Sequence, residues 1–206
     1  KKFINPGLSQ LDSIYVRAKE DVVNFSVLTK ANIKIMENIK FDSRPPAGTR
    51  KKINQLKKQL KISNHFVLVA GSTRSGEEKI LLKLVAKLNY KKLILVIVPR
   101  HPERFSEVEN FFQLQNLPIV RISKLEKIAK TPKYILGDTM GDLYELYGLA
   151  TLAVIGGSIL DYGGQNPIEP MSSNIQTAVG PSIYNFKEMV SIAEKQNAIF
   201  RFKNIA

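Results

Sequence analysis

Cysteine and tryptophan are absent from this 206-residue sequence, and aromatic residues make up only 8% of it. Without a thiol there is no disulfide framework and no thiolate metal site, and a reducing compartment suits the chain better than an oxidising one. Long apolar runs are missing too. The longest strongly apolar stretch, Leu93 to Val98, falls far short of the roughly 20 residues that span a bilayer, so it reads as a buried strand. Acids are scarce: 18 Asp and Glu stand against 31 Lys and Arg, a net charge of +13, which favours anionic partners such as nucleotides, nucleic acid or lipid headgroups. With 44% hydrophobic and 24% charged residues, the chain is neither disordered nor a membrane protein by composition. Its length allows one full domain, or one domain and a fragment of another. The sequence opens on Lys1 with no Met and no signal-like segment, and a start lost through processing or truncation is expected.

The basic excess is uneven. Residues 1–62 carry a net +9 and residues 63–206 only +4. Between Arg44 and Lys61 lie Arg50, Lys51, Lys52, Lys57 and Lys58 without a single acid. Pro45, Pro46 and Gly48 break the chain there, Thr49 is placed to cap a helix, and Ile53, Leu56 and Leu60 fall on one stripe. Residues 43–62 therefore read as a basic linker and amphipathic helix. That helix either packs its stripe on the next domain or rests on an anionic membrane surface. Residues 1–42, with a helix candidate over Ala18–Leu28 and an apolar alternation over Ile33–Met36, are too few for an independent sheet domain and read as the tail of a preceding one.

From residue 63 onward strands and helices alternate. Strands are expected at Phe66–Ala70, Lys92–Val98, Pro118–Ile122, Lys133–Leu136, Thr151–Ile155 and Ile175–Val179. Helices are expected at Gly76–Asn89, Pro102–Gln115, Thr139–Tyr147, from Pro167, and at Tyr184–Lys195. Strands that are apolar on both faces, separated by helices, predict an α/β fold: a Rossmann-like parallel sheet with helices on both faces, over residues 63–206. Ligands of such sheets bind at the carboxyl ends of the strands.

Four segments occupy those ends. After the first strand, Ser72, Thr73 and Arg74 add side-chain donors to a helix start, where backbone amides attract phosphate; Glu77 and Glu78 follow as complements to the helix dipole. Pro99-Arg100-His101-Pro102-Glu103-Arg104 comes next, with Arg100 suited to grip a phosphate in a bidentate manner, His101 a loop hydrogen bonder and Arg104 a surface residue. In Gly137-Asp138-Thr139-Met140-Gly141-Asp142-Leu143, Asp138 or Thr139 suits a cap, Gly141 allows close backbone approach, and Met140 either covers a flat base or fills core. The fourth is Gly156-Gly157-Ser158 followed by Gly163-Gly164-Gln165-Asn166-Pro167-Ile168-Glu169-Pro170. Here Asn166 suits the cap and Pro167 the first helical position. The Glu169 carboxylate either accepts hydrogen bonds from ribose hydroxyls or complements the helix dipole.

Ser72 to Glu78, Pro99 to Phe105, Gly137 to Leu143 and Gly164 to Pro170, in this order and spacing, resemble the C-terminal half of the Kdo transferases, the 3-deoxy-D-manno-octulosonic acid transferases of lipopolysaccharide synthesis. Gly180-Pro181 with Asn185-Phe186 resembles a further signature of that family, and Glu37 to Asp42 resembles the segment joining its two domains. The family usually has His where Gln165 stands and Glu where Asp142 stands, and it continues beyond Ala206. The resemblance implies the C-terminal, donor-binding domain of a glycosyltransferase-B fold. It implies that Pro99 and Arg100 contact the nucleotide of CMP-Kdo, that Met140, Gly141 and Asp142 line the cytidine, and that Asn166, Pro167, Ile168 and Glu169 hold the ribose and phosphate side. It further implies inverting transfer of Kdo to an anionic lipid A precursor at the cytoplasmic face of the bacterial inner membrane, with no cofactor and no essential metal. The general base would lie in an N-terminal domain, leaving this half inactive alone. A UDP-sugar donor on the same fold is the alternative. A basic nucleic-acid module is a more distant one, since the basic run lacks interleaved aromatics.

Overall fold

The computed structural model describes residues 5–8, 10–16, 19–36, 44–125 and 128–203. The Glu37 to Asp42 segment and Ala18 lie outside them. The chain divides into two compact units, Lys1–Ser43 and Arg44–Ala206.

In the first unit, α1 (Asn5–Leu8) precedes β1 (Ser13–Val16), α2 (Lys19–Ser26) and β2 (Asn32–Ile35). β1 and β2 pair in parallel, Ser13 opposite Asn32 and Val16 opposite Ile35. Parallel neighbours need a crossover, which α2 supplies; Glu20 and Asp21 in its first turn suit the positive end of the helix dipole.

The second unit opens with α3 (Thr49–Leu60). Then follow β3 (Phe66–Thr73), α4 (Glu77–Leu88), β4 (Leu93–Pro99), a 3-10 turn over Pro102–Arg104, α5 (Phe105–Gln113) and β5 (Ile119–Arg121). A second 3-10 turn over Ile122–Lys124 leads to β6 (Tyr134–Leu136), α6 (Leu143–Tyr147), β7 (Leu152–Ile155), α7 (Ile168–Ser172), β8 (Gln176–Val179), α8 (Lys187–Lys195) and β9 (Phe200–Arg201). All seven strands are parallel, in the order β5-β6-β4-β3-β7-β8-β9. The first strand of the unit is thus central. The chain runs outward from β3 through β4 and returns to β3's other side as β7, so the loops after β3 and β7 face each other at the switch point where ligands of such sheets bind.

Alternate residues of each strand enter opposite cores, as the two-residue period requires. Val67, Val69, Ile94, Val96 and Ile135 join Leu60 of α3, Leu146 and Tyr147 of α6 and Val190 and Ala193 of α8 on one face. Leu68, Ala70, Leu95, Ile97 and Leu136 join Leu81 and Val85 of α4 and Val108 and Phe112 of α5 on the other. Every residue of β4 is buried, which is why its sequence is unbroken by polar residues. The stripe of α3 packs on the first core, with Leu60 fully buried and Ile53 and Leu56 beside it, and its basic side chains at 50, 51, 52 and 58 are exposed.

Several local expectations are corrected. Thr49 does not cap α3: Gly48 takes the cap position at φ 84°, and the buried Thr49 hydroxyl finds no hydrogen-bond partner among the described residues. The helix expected from Thr139 begins only at Leu143, because Asp138 turns aside to accept hydrogen bonds from the Ser123 amide (2.8 Å) and Ser123 hydroxyl (2.5 Å). Neither Asp138 nor Thr139 is therefore a cap. α7 begins one residue past Pro167. The short edge strand β9, half of which is an exposed Phe200, carries no periodic signal.

Candidate functional site

β3 ends in an irregular step between Gly71 and Thr73, where Ser72 adopts φ 58°. A left-handed serine is strained and belongs to a place where the surroundings dictate the backbone. The surroundings here are Gly156, at the end of β7. A Cβ on Gly156 would overlap the Ser72 carbonyl and the Thr73 amide, so only glycine lets the two loops of the switch point touch.

Glu77 and Glu78 do more than complement a dipole. Glu77 is fully buried and accepts four backbone N–H bonds: from Arg74 (2.8 Å), Gly157 (2.7 Å), Ile159 (2.9 Å) and Leu160 (3.3 Å). Burial pushes its carboxyl above the usual range, and the four amides pull against that rise. The amides of the glycine-rich turn thus already hold an anion, and it is a side chain of the protein. Glu78 accepts from the Thr73 hydroxyl (2.6 Å) and from both terminal nitrogens of Arg104 (2.8 and 3.2 Å). Arg104 is correspondingly a tie between loops and not a surface residue, with its side chain only 12% exposed. Thr73 is itself fully buried, its hydroxyl committed to Glu78, so of the three expected donors after β3 only Ser72 and Arg74 retain solvent access.

The exposed face of the site is basic. Arg100 leaves the end of β4, its amide donating to the Thr73 carbonyl (3.0 Å), and its side chain donates from Nε to Gln165 Oε1 (3.2 Å). That contact uses Nε and neither terminal nitrogen of the guanidinium, the pair with which an arginine can grip an anion in a bidentate manner. Arg74 lies over the Tyr162 ring (5.1 Å to the centroid) and donates from a terminal nitrogen to His101 Nε2 (2.6 Å), which fixes that imidazole nitrogen as an acceptor because guanidinium only donates. Gly157 packs between Gln165 and Arg74, so the loops after β3, β4 and β7 meet.

Glu169 completes this group. α7 carries it in its first turn, and Asn166 Oδ1 accepts from the Ile168 amide (3.1 Å) to secure the turn; Pro167 and Ile168 are buried beneath. Burial raises the Glu169 carboxyl above its ordinary value, and the Arg100 charge opposes the rise. Tyr147, buried between Gly71 and this acid, has its phenol pushed well up by burial first and by the Glu169 charge second. The Gly180 to Phe186 loop braces the glycine-rich turn from behind: the Gly180 amide donates to Ser158 Oγ (2.8 Å), and Asn185 Nδ2 donates to the carbonyls of Tyr162 (3.1 Å) and Gly164 (3.3 Å).

The structure thus gathers Ser72, Arg74, Arg100, Asn166 and Glu169 around the switch point, over the buried Pro99, Pro167 and Ile168. Met140, Gly141 and Asp142 sit on the neighbouring loop after β6. Met140 is 67% exposed, Gly141 adopts φ 87° with open space around it, and Asp142 lies 3.6 Å from Lys52 of α3. Glu77, Glu78, Arg104 and Tyr147 were not among the expected site residues. Their partners lie up to 83 residues away, which no local pattern reveals.

An exposed arginine with a half-buried one beside it, a half-buried carboxylate and a small-residue turn can bind an anionic ligand that also carries hydroxyls. No protein-family model matches the chain. A crystal structure described as the C-terminal CMP-Kdo binding domain of WaaA from Acinetobacter baumannii is 34% identical, with a TM-score of 0.72 over 78% of this chain and 84% of that one. The chain belongs to the Kdo transferase family. The 3-deoxy-D-manno-octulosonic acid transferase of Haemophilus influenzae is 33% identical over 181 residues, covering 86% of this chain and 42% of that protein. The Aquifex aeolicus transferase of the same name is 30% identical over 197 residues, or 95% and 51%. The chain therefore spans about half the length of these curated relatives, and its sheet is the C-terminal Rossmann-like domain of the transferase family's glycosyltransferase-B architecture.

Proposed function

We propose that this chain binds CMP-Kdo and forms the donor half of a glycosyltransferase that moves Kdo onto a hydroxyl of a lipid A precursor. The observation that carries the reading is the similarity of the fold and sequence to the Acinetobacter domain, whose description names CMP-Kdo. The site's chemistry supports it. Arg100, with Arg74 and Ser72 nearby, takes the phosphate, since the amides of the glycine-rich turn are occupied by Glu77. Glu169, whose carboxyl is raised by burial against the opposing Arg100 charge, accepts the ribose hydroxyls, and Met140, Gly141 and Asp142 line the base. The step needs a general base and an acceptor site, and these are expected from the other domain of a full-length transferase. The acceptor's phosphates and an anionic inner-membrane surface on the cytoplasmic side suit the basic α3.

Calorimetric titration of the chain with CMP and UMP tests this. CMP should bind more tightly than UMP, and Arg100→Ala should weaken CMP about tenfold or more, the worth of a charge-assisted hydrogen bond. Absence of CMP binding, or indifference to Arg100→Ala, would overturn the assignment.

A further inference from the structure

The arginines that reach into the second unit differ in how their charge is met. Arg104 is paired with Glu78 and Glu107, and Arg121 with Glu109 and Asp138. Arg74 is half-buried as well, yet among the described residues it pairs with no acid. It has a mount instead: His101 Nε2 accepts from one terminal nitrogen at 2.6 Å, and the Tyr162 ring centroid lies 5.1 Å from the guanidinium carbon. Neither contact brings a negative charge, so the group is fixed in place without being neutralised. Its Nε and second terminal nitrogen have no hydrogen-bond partner among the described residues.

Arg100 comes close to the same place. Gln165 Oε1 accepts from Arg100 Nε at 3.2 Å, and a Cβ on Gly157 would lie 3.2 Å from Gln165 Nε2 and 3.5 Å from Arg74 Cγ. Two cationic side chains therefore approach one carboxamide, Arg100 at its oxygen and Arg74 across Gly157 from its nitrogen. Neighbouring like charges repel, and negative charge entering beside them relieves the repulsion. The amides of the glycine-rich turn are taken by Glu77, so a ligand with two anionic groups must have both met by side chains. The sugar named in the relatives is an octulosonic acid. In the nucleotide of such a keto acid the anomeric carbon carries both the carboxylate and the oxygen that leads to phosphorus, so two negative charges arrive side by side.

We propose that Arg74 takes the sugar carboxylate of the donor while Arg100 takes its phosphate, so that the chain selects nucleotides of keto sugar acids over nucleotides of neutral sugars. The inference rests on the CMP-Kdo reading above and deepens it. A neutral sugar in the same place would cover the Arg74 guanidinium and remove it from water without offering it a partner, so discrimination comes from a penalty as much as from a gained bond. Because both anions hang on one carbon, gripping the two of them also stops that carbon from turning about the phosphate bond, which orients it for attack.

The test uses the full chain and three ligands: CMP, freshly prepared CMP-Kdo, and the carboxamide of CMP-Kdo, which keeps the shape of the acid and loses its charge. Wild type should bind the carboxamide about tenfold more weakly than CMP-Kdo, the worth of a charge-assisted hydrogen bond. Arg74→Gln should weaken CMP-Kdo by about the same factor, bind acid and carboxamide alike, and leave CMP within about threefold of wild type. If Arg74→Gln weakens CMP and CMP-Kdo equally, Arg74 is a phosphate ligand and the proposal is wrong. Wild type binding the carboxamide as tightly as the acid overturns it too, and that comparison needs no mutation, so it stands even where the variant folds poorly. If wild type binds neither CMP nor CMP-Kdo, the donor reading itself fails and takes this one with it.

Discussion

Two carboxylates of the site sit in opposite circumstances. Glu169 is half-buried beside an arginine, with its carboxyl raised by burial, and only its ionised form offers both oxygens as acceptors to a pair of hydroxyls. It protonates as pH falls through that raised value, earlier than an ordinary glutamate would. CMP affinity should therefore decline on acidification from pH 7 while the protein is still folded, and Glu169→Gln should bind more weakly at pH 7 and lose most of that pH dependence; calorimetry across the acid range measures both. Glu77 faces inward. Glu77→Ala would strand four N–H groups, two buried and two part-buried, at a cost of roughly 3–5 kcal/mol in urea unfolding. The apolar strands and the small-residue loops could be read in the sequence, since periodicity and turn chemistry are local. The roles of these acids could not. Glu77 at a helix start looks like a dipole complement until β7 is known to lie beside β3.

At the scale of elements, the loops at the switch point are held by contact between backbones. A methyl group at Gly156 would have to displace the Ser72 carbonyl and Thr73 amide, which belong to the central strand. Gly156→Ala should lower stability by several kcal/mol in thermal or urea unfolding and abolish CMP binding with it. Gly141→Ala is the contrast. Among the described residues nothing lies within 4 Å of its would-be Cβ, and only φ 87° opposes the change, so its cost should stay near 1–2 kcal/mol. The sequence shows both as glycines between strand and helix. Their difference resides in strand order, which brings β7 against β3 and leaves the loop after β6 open on one side.

For the whole molecule, the net charge of +13 is densest from Arg44 to Lys61, a stretch with seven basic residues and no acid. α3 turns its apolar stripe to the core and leaves Arg50, Lys51 and Lys58 exposed. If this face meets an anionic surface, replacing those three with Ala should weaken binding to phosphatidylglycerol vesicles about a hundredfold at low salt, at roughly 1 kcal/mol per charge. Stability should change little, because none of the three is buried. Cosedimentation at rising salt checks both the magnitude and its screening.

The placement of β3 at the centre of the sheet also governs how the protein is made. β3 and β4 leave the ribosome well before β3's second neighbour, β7, which begins only at Leu152. Until it emerges, the most apolar strand pair of the domain has an open edge, with the central strand's N–H and C=O groups unpaired on that side. Such an edge is where nascent chains stick to one another or recruit chaperones, and closing it requires contacts distant in sequence, which form slowly. Synthesis stalled before residue 152 should yield a sticky, chaperone-bound intermediate, and the nucleotide pocket, assembled from loops on both sides of that edge, cannot exist until translation has passed Glu169.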